Sequence, residues 1–113
     1  MALRVFHGDD SEPFRRLIAE VLPDGEIVMC GEGATPDEVA SGVAREQPDV
    51  VLLDQFDGPE LVDRLRELAP GVRIVLLSGF RPGHGDTELE RRADAYLVKT
   101  AGIDQMRAAV RGG

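Results

Sequence analysis

Five short runs of apolar residues, separated by amphipathic segments, constrain the fold of this chain more than any other feature. The runs are LRVF, EIVMC, DVVLLD, VRIVLLS and AYLVK, which begin at residues 3, 26, 49, 72 and 95. They are continuous rather than alternating, which is typical of strands that are covered on both faces. Five such strands alternating with five helices predict an α/β fold, in which helices cover both faces of a parallel sheet.

The segments between the runs have the periodicity of helices that pack on such a sheet. The apolar face of the first predicted helix consists of Phe14, Leu17, Ile18, Val21 and Leu22. Residues 36–47, 60–68 and 103–110 repeat aliphatic side chains at the same helical spacing. The fourth helix, just before the last strand, is predicted to be short and weak, because a stretch rich in glycine and proline precedes it.

Capping residues mark where several of these helices begin. The stretch TPDE offers Thr35 as N-cap, a proline at the first helical position and Glu38 as the glutamate of a capping box. Ser11 and Asp57 are predicted to cap the first and third helices in the same way.

Length and charge limit the class of protein. A chain of 113 residues, 42% apolar and 30% charged, is expected to form a single domain over residues 1–113. The net charge of −8 argues against nucleic acid or an anionic membrane as a direct partner. The single cysteine, Cys30, cannot form an internal disulfide, and no secretory or membrane-length apolar segment is present. We therefore expect a cytoplasmic protein.

Polar residues follow the predicted strands at the point where each strand ends. Asp9 and Asp10 follow the first strand, Asp54 ends the third, Ser78 ends the fourth and Lys99 ends the fifth. Lys99 is the only lysine beside twelve arginines. Because functional sites of open α/β sheets form at the carboxyl ends of the strands, we expect these five side chains to share one edge of the sheet.

Three carboxylates, a hydroxyl and an ammonium in one cleft indicate phosphoryl chemistry. Crowded carboxylates repel each other, so they must bind a proton or a cation. Oxygen ligands suit Mg²⁺, which favours phosphate as a co-ligand. A carboxylate beside the metal can attack a phosphoryl group and form an acyl phosphate, while the hydroxyl and the ammonium share the charge of its oxygens.

These residues and the stretches around them resemble the receiver domain of two-component response regulators. The matching stretches are RVFHGDDSEPFRRLI, PDVVLLD, RIVLLSG and ADAYLVKTA, in the family's order and close to its spacing. The chain is similar along its whole length to the chemotaxis receiver, and the first and last stretches look most like receivers of helix-turn-helix DNA-binding regulators. The resemblance implies a doubly wound, flavodoxin-like sheet with strand order 2-1-3-4-5. It also implies a signalling switch rather than an enzyme, limited to catalysing its own phosphotransfer and dephosphorylation.

The resemblance assigns a phosphorylation site and a metal site. Asp54 matches the aspartate that accepts phosphate from a partner histidine kinase. Asp9 and Asp10 match the acid pair that holds Mg²⁺ together with Asp54. Phe56 stands where a backbone carbonyl completes the family's metal shell.

The resemblance also assigns a switch and its partners. Ser78 matches the switch serine or threonine that hydrogen-bonds the phosphoryl group, and Lys99 matches the lysine that pairs with it. Tyr96 matches the aromatic residue that turns inward on activation. The implied partners are a sensor histidine kinase, a C-terminal effector domain absent from this chain or a downstream protein, and a second copy forming a homodimer through the fourth helix, fifth strand and fifth helix.

Two other interpretations stay open. The segment from Asp54 to Asp57 and Gly58 is several residues shorter than in the family, so a degenerate receiver could switch by binding a ligand or protein without phosphorylation. An aspartate-nucleophile phosphatase needs a second aspartate two residues after the nucleophile, where this chain has Phe56, and ranks far behind. His7 is unusual in the first strand. We interpret it as a packed strand histidine, and its nearness to the acid pair leaves a role as a metal ligand open as a minor alternative.

Overall fold

The computed structural model describes residues 2–54, 59–79 and 87–112 of the chain. Within these residues, five strands alternate with five helices. The strands are β1 (Leu3–Gly8), β2 (Ile27–Gly33), β3 (Val50–Asp54), β4 (Arg73–Ser78) and β5 (Ala95–Val98). The helices are α1 (Glu12–Val21), α2 (Pro36–Glu46), α3 (Pro59–Leu68), α4 (Thr87–Arg92) and α5 (Ile103–Arg111).

The strands form one parallel sheet in the order β2-β1-β3-β4-β5. This arrangement confirms the predicted α/β class and the order that the resemblance implied. β1 lies beside both β2 and β3, so the direction of chain progression reverses there. In doubly wound sheets, the crevice at such a reversal is where ligands bind.

The sheet has a hydrophobic layer on each face. One layer packs Val50 and Leu52 with α1 and α5, and the other packs Val51 and Leu53 with α2, α3 and α4. Successive residues of β3 therefore face opposite layers, and all four are buried. This two-sided burial is the reason that the strand sequences are continuously apolar.

Two glycines allow α2 to lie close to β1. A Cβ atom on Gly42 would stand 2.3 Å from the ring of Phe6, and one on Gly8 would stand 2.6 Å from a methyl group of Val39. Side chains at these positions would push the helix away from the sheet. The glycine at position 8 is thus explained by close packing.

The predicted N-caps of α1 and α2 are present in the structure. The Ser11 hydroxyl accepts a hydrogen bond from the N–H of Phe14 at 3.3 Å, and the Thr35 hydroxyl accepts one from Glu38 at 3.2 Å. The expected capping box is only partly confirmed, because the Glu38 carboxylate accepts from the N–H of Ala34 instead of the N–H of Thr35. The predicted cap Asp57 lies outside the described residues.

The apolar face predicted for α1 is only partly buried. Ile18 and Leu22 are buried, but Leu17 is 50% exposed and Val21 is 36% exposed. A helix on an open sheet contacts it along a narrow stripe, so residues at the flank of the apolar face are left beside the neighbouring helix. Here they line a groove of about 260 Å³ between α1 and α5.

Arginine side chains fasten the amino edge of the sheet, where the helices end and the strands begin. The Arg107 guanidinium of α5 donates to the carbonyl oxygens of residues 21–23 at 2.8, 3.1 and 3.3 Å, just after α1. Arg66 of α3 likewise donates to the carbonyls of Val72 and Arg92 at 3.3 and 2.7 Å. Each guanidinium therefore satisfies backbone carbonyls at or beyond the ends of helices.

None of the helices in the described part of the chain has the length and apolar character needed to span a membrane.

Candidate functional site

The carboxyl edge of the sheet brings together the polar residues that the sequence placed at the strand ends. Asp9 follows β1, Asp54 ends β3 and Ser78 ends β4. The carbonyl of Ser78 accepts a hydrogen bond from the N–H of Lys99 at 2.7 Å, which fixes the lysine backbone at the end of β5. The sheet hydrogen bonding thus delivers these side chains to one edge, as expected.

Lys99 bridges two of the carboxylates. Its Nζ atom lies 2.9 Å from Asp9 Oδ2 and 2.9 Å from Asp54 Oδ1. The ammonium also stands 4.8 Å above the centre of the Phe14 ring, where the ring face favours a cation. The lysine side chain is 26% exposed, so its charge stays in contact with solvent while it pairs with two acids.

Asp9 is held in place through both its side chain and its backbone carbonyl. Its side chain is fully buried, and its Oδ1 accepts a hydrogen bond from the N–H of Ser11 at 2.8 Å. The guanidinium of Arg15 donates to its backbone carbonyl at 2.7 Å. A turn between β1 and α1 therefore orients this carboxylate, and leaves its other oxygen directed toward Lys99.

Asp9, Asp10 and Asp54 form a cluster of carboxylates, which we call the acid cluster. One oxygen from each of the three lies within 4.8 Å of the others. Asp9 is buried, Asp54 is half-buried and Asp10 is exposed. Because all the donors are hard anionic oxygens, the cluster fits Mg²⁺, which is commonly held by one or two carboxylates while several water ligands remain.

The acid cluster changes the ionisation of Lys99. Burial by itself disfavours the ammonium, but hydrogen bonds and charge from Asp9 and Asp54 outweigh it and raise the lysine pKa above its ordinary value. The lysine is therefore positively charged at neutral pH and offsets part of the acid cluster.

His7, the penultimate residue of β1, lies close to Asp9 of the acid cluster. The side chain is 1% exposed, and its Nε2 stands 3.9 Å from Asp9 Oδ2. Burial lowers its pKa from 6.5 to about 4, with Lys99 and Arg15 acting in the same direction and Asp9 opposing them. Among the residues that the structure describes, neither ring nitrogen has a hydrogen-bond partner.

Packing of His7 agrees with the interpretation made from the sequence, where its nearness to the acid pair also left a metal-binding role open. Residues two apart in a strand share a face, so a histidine two positions before a functional aspartate was the available signal.

The other predicted site residues, Ser78, Tyr96 and Phe56, lie in different parts of the chain. The Ser78 side chain is fully buried at the end of β4. Tyr96 is half-buried in β5 and packs on the layer formed by α2, α3 and α4. Phe56, whose carbonyl was expected to complete the metal shell, lies outside the described residues.

This arrangement can bind and stabilise a phosphoryl group. Asp54 supplies a half-buried nucleophilic carboxylate, and Lys99 supplies a cation already in contact with it at 2.9 Å. The acid cluster supplies oxygen ligands for a divalent cation. Positive charge held beside a carboxylate nucleophile is what the transfer of a phosphoryl group requires.

Comparison with known sequences gives a consistent result. Residues 5–111 match the family model described as "Response regulator receiver domain". The chain is 30% identical to the response regulator protein VraR of Staphylococcus epidermidis, over 98% of this chain and 56% of that protein. The VraR protein of Staphylococcus aureus is 29% identical with the same coverage. The chain thus spans about half the length of these relatives.

Comparison with solved structures supports the same fold. The response regulator domain of Thermotoga maritima CheB superposes with a TM-score of 0.86 at 19% identity, covering 99% of this chain and 96% of that one. The signal receiver domain of the putative response regulator NarL from Mycobacterium tuberculosis gives a TM-score of 0.87 at 24% identity, covering 98% and 94%. At these identities the likeness concerns the fold alone.

Proposed function

The chain belongs to the response regulator receiver domain family of two-component signalling, and we propose that it accepts a phosphoryl group on Asp54 from a sensor histidine kinase. The observation that carries this proposal is the bridge of Lys99, whose ammonium lies 2.9 Å from the oxygens of both Asp54 and Asp9. A phosphoryl group on Asp54 would enter a site where a cation is already positioned for its oxygens.

The proposed step is a displacement at phosphorus. A carboxylate oxygen of Asp54 forms a bond to the phosphorus atom as the bond from phosphorus to the kinase histidine breaks. The electron pair of the broken bond returns to the imidazole, which then takes a proton. The product is an acyl phosphate, a mixed anhydride that water can later hydrolyse.

Asp9, Asp10 and Asp54 are the residues that would hold Mg²⁺, with the backbone carbonyl of Phe56 as a further proposed ligand. The fit is supported by the three carboxylate oxygens that lie within 4.8 Å of one another. When bound, the ion would supply positive charge that offsets the phosphoryl oxygens. The chain's own contribution is orientation, because the Ser11 N–H holds Asp9 and Lys99 holds Asp54.

Phosphorylation is proposed to act through Ser78 and Tyr96. The Ser78 hydroxyl would move toward the phosphoryl oxygens, and Tyr96 would turn toward the space that Ser78 leaves. Support comes from their placement, since Ser78 is buried at the carboxyl edge and Tyr96 lies half-buried on the neighbouring strand. Such a change shifts a pre-existing equilibrium between two conformations.

The output of the switch is proposed to pass through the surface of α4, β5 and α5, which carries Tyr96. That surface would contact an effector segment, a downstream protein or a second copy of this chain. The net charge of −8 argues against direct contact with nucleic acid, so any effect on DNA would come from another domain or protein.

Intact-mass spectrometry tests the proposal. Incubation with acetyl phosphate and Mg²⁺ should add one phosphoryl group to the wild-type chain, and chelation of Mg²⁺ with EDTA should prevent it. Asp54→Asn should abolish the gain, because the amide is a poor nucleophile. Asp37→Asn, at a side chain that is 91% exposed on α2, serves as the matched control and should be phosphorylated like the wild type.

The alternative is a degenerate receiver. It is favoured by the short segment between Asp54 and Asp57, which directly follows the proposed phosphorylation site in the sequence. An unchanged mass in the wild type, with the acetyl phosphate shown to be active on another receiver, would contradict phosphorylation and favour this alternative.

A further inference from the structure

His7 is a buried polar side chain for which the proposed phosphotransfer has no assigned use. It is 1% exposed, and both ring nitrogens lack a hydrogen-bond partner among the described residues. A buried polar group without a partner destabilises a protein, because its hydrogen bonds to water are lost and not replaced. Such a group at the edge of a functional site suggests that it gains a partner in another state.

The geometry restricts which partner His7 can gain. His7 is the penultimate residue of β1 and Asp9 follows the strand directly, and the Nε2 atom of His7 lies 3.9 Å from Asp9 Oδ2. The Phe14 ring packs edge-on against the imidazole, with centroids 5.7 Å apart and planes at 65°. The imidazole is therefore packed between Phe14 and Asp9, with its Nε2 atom nearest to Asp9 Oδ2.

In the structure, the Nζ atom of Lys99 lies 2.9 Å from Asp9 Oδ2 and also forms an ion pair with Asp54. A phosphoryl group on Asp54 would compete for the lysine, because it brings more negative charge than the carboxylate it replaces. If the ammonium turns toward the phosphoryl oxygens, Asp9 Oδ2 loses its ion pair with Lys99 inside the protein.

We propose that His7 is a positioning residue that donates its Nε2–H to Asp9 Oδ2 once Lys99 pairs with the phosphoryl group. This exchange of partners rests on the proposed function. It needs the two atoms to approach by about 1 Å, from 3.9 Å to an ordinary hydrogen-bond distance. The new bond holds Asp9 in the orientation in which it serves the metal, as partners of metal-binding carboxylates commonly do.

A neutral imidazole suits this task. The depressed pKa means that His7 carries no charge at neutral pH and has one N–H to donate. It can therefore satisfy Asp9 without placing a second permanent cation beside Lys99. The exchange requires no change in the protonation of His7.

Nuclear magnetic resonance of the imidazole nitrogens tests the exchange directly. The chain contains two histidines, His7 and His84, so a sample labelled with ¹⁵N-histidine gives two ring systems. We expect the neutral Nε2–H tautomer for His7 before phosphorylation. Acetyl phosphate with Mg²⁺ should shift its Nε2–H proton downfield and slow its exchange with water, as a new charge-assisted bond does.

A pair of variants separates hydrogen bonding from packing. His7→Gln retains an N–H donor at a similar reach, whereas His7→Met fills the space without a donor. The Mg²⁺ concentration for half-saturation, followed by amide shifts during acetyl phosphate treatment, should rise about tenfold in His7→Met. In His7→Gln it should stay within about threefold of the wild type, since the donor is retained.

The outcomes distinguish this inference from the function on which it rests. No gain of mass in the wild type would contradict phosphorylation itself, and with it the exchange. A gain of mass with an unchanged His7 Nε2–H signal would leave phosphorylation standing and overturn the exchange. Loss of the Nε2–H signal on adding Mg²⁺ alone would indicate a metal–nitrogen bond and would also overturn it. The labelled wild type supplies these results even if a variant fails to fold.

Discussion

The two edges of the sheet use positive charge in different ways. At the amino edge, arginines hold the fold: Arg107 joins α5 to the end of α1 through three carbonyl oxygens. At the carboxyl edge, the only lysine of the chain bridges Asp9 and Asp54. The partners at the amino edge are mostly backbone groups, which cannot leave, whereas those at the carboxyl edge are side chains that can exchange.

The chemistry of the two cations explains this division. A guanidinium is a planar fork with five donors and suits several fixed acceptors at once. An ammonium is a compact charge on an adjustable stem, and it can move from one acceptor to another without losing a matched geometry. This chain uses arginine at twelve positions, and its single lysine stands where we propose that a partner changes.

Acid should weaken the carboxyl edge before the amino edge. The pKa of His7 is about 4 in the folded chain against 6.5 ordinarily, so the unfolded chain binds more protons between these values. The contribution of His7 to stability is complete above pH 6.5 and is lost as the pH falls toward 4, by up to about 3 kcal/mol. Burial has the largest effect on this pKa; of the charged groups that act on His7, Asp9 raises the pKa, and Lys99 and Arg15 lower it. Denaturant titrations of metal-free protein at a series of pH values measure the loss.

The control for this acid effect is His7→Met, which cannot take up the proton and should show a flatter profile between pH 6.5 and 4. At the amino edge, hydrogen bonds from the N–H of Glu26, and the charge and hydrogen bond of Arg111, lower the pKa of Asp24. Its contribution should persist until the pH falls below its ordinary value of 3.8. Equal slopes in wild type and His7→Met would show that His7 is not the acid-sensitive group.

Truncating an arginine at the amino edge should lower stability without affecting phosphorylation. Arg107→Met removes the donors to residues 21–23 and should lower the free energy of unfolding by about 2 kcal/mol. Arg107→Lys should recover about half of this, because an ammonium cannot match three carbonyls as a fork does. Denaturant unfolding and intact mass after acetyl phosphate treatment check both statements. Impaired phosphorylation in a folded Arg107→Met protein would contradict the division of roles, in which the amino edge stabilises the fold and the carboxyl edge carries the site.

Removing a negative charge at the carboxyl edge should raise the free energy of unfolding, rather than lower it, in the absence of metal. Asp10 is exposed and adds a third negative charge to the acid cluster. Asp10→Asn should raise the metal-free free energy of unfolding by about 0.5 kcal/mol, through relief of repulsion. The same change should weaken Mg²⁺ binding, since a ligand is lost. A variant that is less stable without metal and binds Mg²⁺ normally would contradict the role given to the acid cluster.

Most of the fold could be predicted because its signals are local. The buried strand β3 is continuously apolar since both of its faces are covered, and Ser11 begins α1 through a hydrogen bond three residues away. The burial of α1 was less predictable: Leu17 and Val21 have the right periodicity, yet the gap between α1 and α5 leaves them exposed. Periodicity identifies an apolar face but not the width of the surface that covers it.

The site was predictable in its members but not in its contacts. That Asp9, Asp54 and Lys99 would share an edge follows from the parallel sheet. That Lys99 would reach Asp9 as closely as Asp54 depends on the turn at Ser11, which orients Asp9, and on tertiary packing that spacing does not encode. The unpartnered state of His7 is also invisible in sequence, because it depends on a separation that exceeds an ordinary hydrogen bond by only about 1 Å.

Lys99→Arg tests most directly the claim that the carboxyl edge works by exchange of partners. Amide spectra of wild type and variant would be recorded with Mg²⁺, before and after acetyl phosphate, and with intact mass confirming the extent of phosphorylation. We predict that the variant folds and retains some phosphorylation, yet loses most of the shift changes at Ser78 and Tyr96, because the fork cannot release Asp9 and rebind in the crowded site. A full wild-type response in phosphorylated Lys99→Arg would contradict the claim.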